Sequence, residues 1–308
     1  MKIKLTLILG LFIALIWSCK NDDETLEPTT VDSRLWSEVE AEDDLEILEY
    51  LDTHFYNYEE FQDSIPNYDP SFDKVMRIDT IAGDNASKQP LSDFVKSLKV
   101  MIETNTDEGE LEHTLYYVEA TKGYGNRPAV VDSTYLNYEG SLLNGSVFDG
   151  STGAPVWFDL LTAIPGFRNG IAQFKSGGDV IDNGNGTFDI DGAGIGLIIM
   201  PSGMAYFSSS TPGESYAPLM FKVNLLRTRD ADHDRDGVPT KVEDLDDDGD
   251  ITNDDTDEDS FPNYFDTDDD GDGTLTNDEI RNEDGKIVIP YPDTDNDGTP
   301  DYLDTDNS

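Results

Sequence analysis

The last quarter of the chain limits the possible folds more than any other segment, because it carries far more negative charge than a compact domain tolerates. Residues 230–308 contain 30 Asp and Glu but 4 Lys and Arg, which is −26 of the −46 net charge of all 308 residues. A segment with this charge expands by self-repulsion unless counter-ions neutralise it. The composition therefore predicts either a solvated acidic tail or a region that divalent cations hold together. The same charge excludes a nucleic-acid partner, since phosphates are bound by clustered Lys and Arg.

The spacing of the acidic residues favours bound cations. In a calcium loop, acids at positions one, three, five and twelve face one ion, and Gly at position six makes the turn. Two stretches fit throughout, and three more have this spacing with Asp at the close. The predicted ligands, loop by loop, are Asp232, Asp234, Asp236 and Glu243; Asp268, Asp270, Asp272 and Glu279; Asp244, Asp246, Asp248 and Asp255; Asp255, Asp257, Asp259 and Asp266; and Asp293, Asp295, Asp297 and Asp304.

Some of these loops are chained, because the closing Asp of one opens the next at residues 244, 255 and 266. No long helices are predicted beside them, which argues against paired EF-hands. The arrangement resembles thrombospondin type 3 repeats without their cysteines, and the resemblance implies structural Ca²⁺ as the core of residues 230–308. The three histidines are scattered, so no catalytic metal is predicted. The alternative is a solvated acidic tail that binds no metal specifically.

The N-terminus has the plan of an export signal. Lys2 and Lys4 precede an apolar run over residues 5–16, which is too short to span a bilayer as a stable helix. The run ends at Cys19, in a context that resembles a bacterial lipobox apart from the bulky Trp17. We therefore predict a signal peptide over residues 1–18, lipidation of Cys19, and a tether over residues 19–33. The protein is expected to be a membrane-anchored lipoprotein of the cell envelope, at the outer membrane and with possible surface exposure. An uncleaved anchor or a core helix is the alternative.

The remaining pattern divides into two parts. Apolar residues three or four apart predict an amphipathic helix over Glu42–Tyr56, within a helical or mixed extension of residues 34–110. Residues 111–228 predict a domain of the α+β class, an antiparallel sheet wrapped around one short helix. Its predicted strands and helix are Leu111–Val118, Ser133–Tyr138, Ile195–Met200, Leu219–Leu226 and helix Ile164–Lys175.

Several short motifs follow one another in this domain. In order, they are Gly123-x-Gly125, Tyr138-Glu139-Gly140, residues 144–151, residues 155–160, residues 164–170, residues 199–206 and residues 218–226. In this order and at these distances they resemble the FKBP-type peptidyl-prolyl cis-trans isomerases over nearly all of residues 111–228. Together with the lipobox, the chain resembles FKBP-like lipoproteins associated with gliding motility. The resemblance implies an FKBP-like fold and rotation of X-Pro bonds in exported proteins, with Pro-containing polypeptides as substrates.

The chemistry of amide rotation suits the residue types found here. The barrier is about 18–20 kcal/mol because the planar amide is resonance-stabilised, so a catalyst needs an apolar cleft and a hydrogen-bond donor, and no cofactor. The predicted site residues are the walls Tyr138, Phe148, Phe158, Ile164, Phe167 and Phe221, the donor Tyr206 and the carboxylate Asp149. The alternative is that the aromatic residues form ordinary core.

The resemblance also implies individual roles. Phe167 would form the floor of the pocket, Tyr206 would donate to the substrate carbonyl, the Ile164 backbone would bind the peptide, and Asp149 would polarise the cleft. The chain departs from the family pattern at Val156, at Phe207 and in an insertion over residues 178–194. Two other functions therefore stay open. These are binding of Pro-containing peptides or chaperoning without turnover, and a calcium-stiffened surface or adhesion element.

Overall fold

A single antiparallel sheet of seven strands positions the candidate site. The computed structural model describes residues 34–62, 75–151, 154–186, 188–210 and 212–306. The predicted signal peptide, Cys19 and the tether lie outside these residues. Within them, no helix is both long and apolar enough to cross a membrane. The helices are α1 (Trp36–Thr53), α2 (Glu59–Gln62), α3 (Pro165–Ile171) and α4 (Thr276–Glu279).

The strands form the large sheet and two small two-stranded sheets. Strands β1 and β2 pair with each other, as do β8 and β9, while the others follow the order β3-β4-β10-β11-β5-β6, with β7 also paired to β5. The strands are β1 (His54–Tyr56), β2 (Ile78–Thr80), β3 (Lys96–Glu103), β4 (Glu110–Thr121), β5 (Ser133–Leu142), β6 (Val147–Gly150), β7 (Val156–Asp159), β8 (Val180–Asp182), β9 (Phe188–Ile190), β10 (Gly194–Met200) and β11 (Leu219–Arg229).

The α+β fold class predicted from the sequence is confirmed, and the four predicted strands correspond to β4, β5, β10 and β11. The sheet nevertheless begins before residue 111, where the predicted domain starts. Strand β3 pairs with β4 from Lys96 opposite Tyr117 to Glu103 opposite Glu110. Its alternate residues Leu98, Val100 and Ile102 pack against the same core as α3. Part of the predicted N-terminal extension is thus the edge of the sheet.

Helix α3 is shorter than predicted, because the chain tightens after Ile171. The amides of Gln173 and Phe174 donate to carbonyls three residues earlier, so the apolar spacing continues as turns. Pro165 starts the helix at a position where its missing N–H costs nothing. Gly170 lets α3 approach β10, since a Cβ there would lie 2.6 Å from Cγ2 of Ile198. The helix is therefore seated directly on the sheet.

Helix α1 begins earlier than the predicted Glu42 because a distant side chain caps it. The Glu108 carboxylate accepts hydrogen bonds from the amides of Trp36 (2.7 Å) and Ser37 (3.0 Å). The helix ends at Thr53, where His54 pairs with Thr80 in β1–β2. Its buried residues join a core cluster on β4 and β10 that is separate from the one containing α3. The two clusters indicate that α1 packs on one face of the sheet and α3 on the other.

Candidate functional site

Six aromatic and aliphatic side chains predicted as pocket walls lie together beside α3. Phe167 and Phe221 are buried with ring centroids 5.0 Å apart, and Tyr138 lies 6.0 Å from Phe167. Phe158 is 5.2 Å from Tyr138, and Phe148 is 5.7 Å from Phe221. Ile164, at the start of α3, is half-buried against the same core. Most of these contacts are edge-to-face, the geometry that aromatic pairs prefer. We call this set the aromatic cluster.

A polar pair stands at the exposed side of the aromatic cluster. The Tyr138 hydroxyl donates to Oδ2 of Asp149 at 2.7 Å, and Oδ1 of Asp149 accepts from the Gly150 amide at 2.8 Å. Burial raises the pKa of the Tyr138 hydroxyl, and the adjacent Asp149 carboxylate raises it further. The phenol is therefore neutral at physiological pH. Asp149 itself is exposed and fixed in orientation by these two bonds.

The loop that carries Tyr206 is held from outside the predicted isomerase domain. Tyr206 itself is 38% exposed. The next residue, Phe207, has a positive φ of 44° and stacks on Trp36 of α1 with centroids 3.8 Å apart. The Asp43 carboxylate of α1 accepts from the amide (2.7 Å) and hydroxyl (2.6 Å) of Ser202. Helix α1 thus braces the segment that presents Tyr206.

The other two departures noted in the sequence also have clear positions. Val156 lies on β7 at the surface, next to the exposed Trp157, at a position where the resemblance implies an aromatic wall. The insertion forms the β8–β9 hairpin, which projects Val180 and Phe188 into solvent. Neither feature belongs to the aromatic cluster.

The acidic region folds as a repeated unit. At loop position nine, a buried residue donates its amide to the carbonyl nine residues earlier, as in Thr240 to Ala231. The side chain of this position-nine residue accepts a hydrogen bond from the amide seven residues earlier, as when the His233 N–H donates to Oγ1 of Thr240 at 3.3 Å. The four position-nine residues are Thr240, Asn263, Thr276 and Asp301. Position nine was not predicted from the sequence, although a Pro precedes it in three of the four loops.

The loops bring carboxylates together in five groups, within each of which one oxygen per residue lies within 4.8 Å of the others. Four groups use residues from one predicted loop each, and the fifth adds Asp269, which was not predicted. Asp232, Asp266, Glu279 and Asp304 were predicted as ligands but stand outside these groups of described residues. The groups are Asp234, Asp236, Glu243 and Asp269; Asp244, Asp246 and Asp248; Asp255, Asp257 and Asp259; Asp268, Asp270 and Asp272; and Asp293, Asp295 and Asp297.

Burial and mutual repulsion disfavour the charged forms of these acids. Burial and the charges of Asp234 and Asp236 raise the pKa of Glu243 to about 10. Burial, followed by the same two charges, raises the pKa of Asp269 to about 9. Burial is also the main reason that the pKa of Glu279 rises to about 8. Carboxylate oxygens are the ligands that Ca²⁺ prefers, so this donor set fits that ion.

An antiparallel sheet packed on one short helix, with an aromatic cluster between them, is the arrangement that the sequence resemblance implies. Residues 125–181 match the family model for FKBP-type peptidyl-prolyl cis-trans isomerase, and residues 233–292 match the one described as BamM C-terminal. The chain therefore carries an FKBP-type isomerase domain, as its sequence motifs predict.

Several named proteins are similar to part of this chain. The chain is 32% identical over 123 residues to peptidyl-prolyl cis-trans isomerase Mip of Coxiella burnetii, covering 39% of this chain and 46% of that protein. It is 30% identical over 120 residues to FkpA of Escherichia coli K12, covering 38% of each. The chain thus spans less than half the length of these relatives. The crystal structure of FkpA from Escherichia coli matches 42% of this chain and 51% of its own, at 28% identity and a TM-score of 0.30.

Proposed function

We propose that this chain is a peptidyl-prolyl cis-trans isomerase of the cell envelope that acts on X-Pro bonds of exported polypeptides. The observation that carries the proposal is the aromatic cluster with the Tyr138–Asp149 pair at its open side. An apolar surface of this kind accepts a proline ring and removes water from its amide. The similarity to Mip and FkpA, both named as peptidyl-prolyl isomerases, supports the same chemistry.

Rotation requires that the cluster stabilise a twisted amide more than a planar one. A twisted amide has lost its resonance, so its carbonyl is less polar and tolerates an apolar environment better than the planar form does. Phe167 and Phe221 supply the buried floor, and Tyr138 and Phe158 supply the sides. Tyr206, which is exposed, would donate a hydrogen bond to the substrate carbonyl.

Two further elements complete the proposal. Lipidation at Cys19 would anchor the protein to the membrane, with Cys19 lying outside the described residues. The acidic region would bind Ca²⁺, which would neutralise the clustered carboxylates and order the loops. What supports calcium is the spacing of the acids, their five groups, and the buried oxygens that have no hydrogen-bond partner in the described part of the chain.

The test is a proline-limited refolding assay with the full-length protein and three variants. Asp149→Asn and Tyr138→Phe remove the polar pair at the exposed side of the aromatic cluster. Substitutions at this side are expected to disturb the folding of the isomerase variant least. Phe188→Ala, at the exposed tip of the β8–β9 hairpin, is the control. We expect catalysis by the native chain, a decrease in kcat/KM of about tenfold in each site variant, equivalent to about 1.4 kcal/mol, and no change in the control. No acceleration by the correctly folded native chain would refute the isomerase.

A second candidate is binding of Pro-containing peptides without efficient turnover. The exposed Val156 and the positive φ of Phe207 favour it, because the first stands where the resemblance implies an aromatic wall and the second fixes the loop after Tyr206 in an unusual conformation. A peptide that binds the native chain and loses affinity in Tyr138→Phe, with no acceleration of refolding, would identify this function instead.

A further inference from the structure

One of the five carboxylate groups joins two loops that are separate in sequence. Asp234, Asp236 and Glu243 belong to the first predicted loop, whereas Asp269 is the second residue of the loop that starts at Asp268. One oxygen of each lies within 4.8 Å of the others. In the calcium-loop pattern, position two is not a ligand position. The placement of Asp269 therefore comes from the packing of the two loops against each other.

Three of the four side chains are buried, Asp234 is half-buried, and most of their oxygens lack a hydrogen-bond partner in the described residues. Glu243 is fully buried, and Asp236 and Asp269 are each 2% exposed. Neither oxygen of Glu243 or Asp269 has a hydrogen-bond partner in the described residues, and the same holds for Oδ2 of Asp234 and of Asp236. Burying even one carboxylate without a partner costs several kcal/mol. Positive charge at the centre of the group would offset this cost.

In the described part of the chain, no salt bridge joins a basic residue of this region to the four carboxylates, and Arg235 and Lys286 are exposed. Lys241 pairs with Asp230 at 2.6 Å, and His233 contacts Asp159 at 3.3 Å. The Arg281 guanidinium bonds to the Asn277 side chain and the Gly285 carbonyl. Lys241, His233 and Arg281 are thus each engaged away from the four carboxylates.

We propose that Asp234, Asp236, Glu243 and Asp269 form a divalent-cation site of the calcium type that ties the two loops together. Four carboxylates and no sulfur or imidazole ligand suit a hard cation, and Ca²⁺ accepts carboxylates in both one-oxygen and two-oxygen modes. Asp269 is then a ligand in addition to those of the repeat pattern. This inference extends the calcium binding proposed above and rests on it.

The site also connects the acidic region to the isomerase domain. The Ala231 amide donates to Oδ1 of Asp132 at 3.3 Å, and Nε2 of His233 contacts Oδ2 of Asp159 at 3.3 Å. Asp159 directly follows Phe158 of the aromatic cluster and accepts from the Leu161 amide at 3.0 Å. An ion that orders the first loop therefore orders the segment that contacts the edge of the cluster.

Equilibrium dialysis with radioactive calcium on the full-length protein tests the site, over about 0.01–10 mM, a range that includes extracellular calcium sites. The variants are Asp269→Asn and Glu243→Gln, and the control is Asp278→Asn, an exposed acid outside all five groups. We expect each site variant to bind one ion fewer than the native chain, or to bind that ion at least tenfold more weakly. The control keeps the native isotherm. Hydrogen exchange of residues 231–243 in calcium is expected to be faster in both site variants.

The outcomes separate the two proposals. If Asp269→Asn binds calcium as Asp278→Asn does, the two-loop site is refuted while the calcium binding of the native acidic region stands. The same conclusion follows if a double variant, Asp269→Asn with Glu243→Gln, binds two ions fewer than the native chain. The two residues would then belong to different sites. If the native chain binds no calcium, both the two-loop site and the proposed calcium binding fail, and the refolding assay still decides the isomerase.

Discussion

Asp43 offers a sharp test of how α1 is attached to the loop of Tyr206. Its carboxylate is 3% exposed and accepts two hydrogen bonds from Ser202. Burial outweighs these bonds and raises the pKa of Asp43 from 3.8 to about 6. Because the folded chain holds this proton more tightly than the unfolded chain, Asp43 favours the folded state below pH 4. That contribution is lost as the pH rises through about 6, and the loss amounts to roughly 3 kcal/mol.

Asp43→Asn separates the cost of the charge from the value of the acceptor. An Asn oxygen can still accept from Ser202, and it carries no charge to desolvate. We therefore expect Asp43→Asn to be more stable than the native chain at pH 7.5, by up to roughly 3 kcal/mol, and nearly equal to it at pH 4. Asp43→Ala leaves the two Ser202 donors unsatisfied, which costs about 1–3 kcal/mol and cancels much of the gain.

The assay is urea unfolding in excess calcium at pH 7.5 and pH 4. The native chain and both variants are compared at each pH, so that the contributions of the other titrating groups to the free energy of unfolding largely cancel. The expected order at pH 7.5 is Asp43→Asn above both the native chain and Asp43→Ala. An Asn variant less stable than the native chain at pH 7.5, with the same difference at pH 4, would show that the carboxylate is retained for its charge. That result would refute the reasoning.

Three other predictions follow from single contacts. Trp36→Ala removes the stack on Phe207, which is worth about 0.5–1.5 kcal/mol. We expect a severalfold decrease in isomerase kcat/KM in this variant, while Phe188→Ala keeps the native value. Equal kcat/KM in Trp36→Ala and the native chain would mean that α1 does not position Tyr206. Gly170→Ala places a Cβ 2.6 Å from Ile198 and should cost about 1–3 kcal/mol in urea unfolding; an unchanged midpoint would contradict the close packing of α3. Removing calcium with EDTA should increase hydrogen exchange, corrected for intrinsic rates, across residues 230–306, and the increase should be larger at pH 8 than at pH 6. The reason is that the raised pKa values of Glu243 and Asp269 make protonation stabilise the folded loops. An increase that does not depend on pH would contradict this.

The strands that could be predicted are those whose pattern is complete within a few residues. All seven residues of β10 are buried, and they read in the sequence as a short apolar run between turn residues. Strand β3 was harder, since the apolar Met101 interrupts the alternation of Leu98, Val100 and Ile102 with polar residues and the strand lies at the sheet edge. The two-residue spacing of these three was a usable signal for a strand before residue 111, where a helical or mixed extension was predicted. The N-terminus of α1 had only a weak local signal, the four-residue spacing of Leu35 and Val39, because its cap, Glu108, is distant in the chain.

The aromatic cluster was predictable for a different reason, namely that ordered short motifs identify the domain even where each residue alone could be core. The same motifs say nothing about Trp36 or Asp43, which approach the site from a helix outside the predicted domain. In the acidic region, the alternate acids follow from the loop pattern. Asp269 does not, because its position depends on how two loops pack and only the folded chain brings them together.

The isomerase domain is therefore not self-contained in residues 111–228. A fragment with those bounds would lose β3 and expose β4 as an unpaired edge strand, which favours aggregation. It would also lose Trp36 and Asp43, the residues that hold the loop of Tyr206, and the contacts of Ala231 with Asp132 and of His233 with Asp159. Segments on both sides of the domain thus meet it at the loops that border the aromatic cluster. Weak activity of such a fragment would reflect the loss of these contacts and not the catalytic capacity of the aromatic cluster. The proposed isomerase activity therefore has to be measured on a protein that retains residues 34–306.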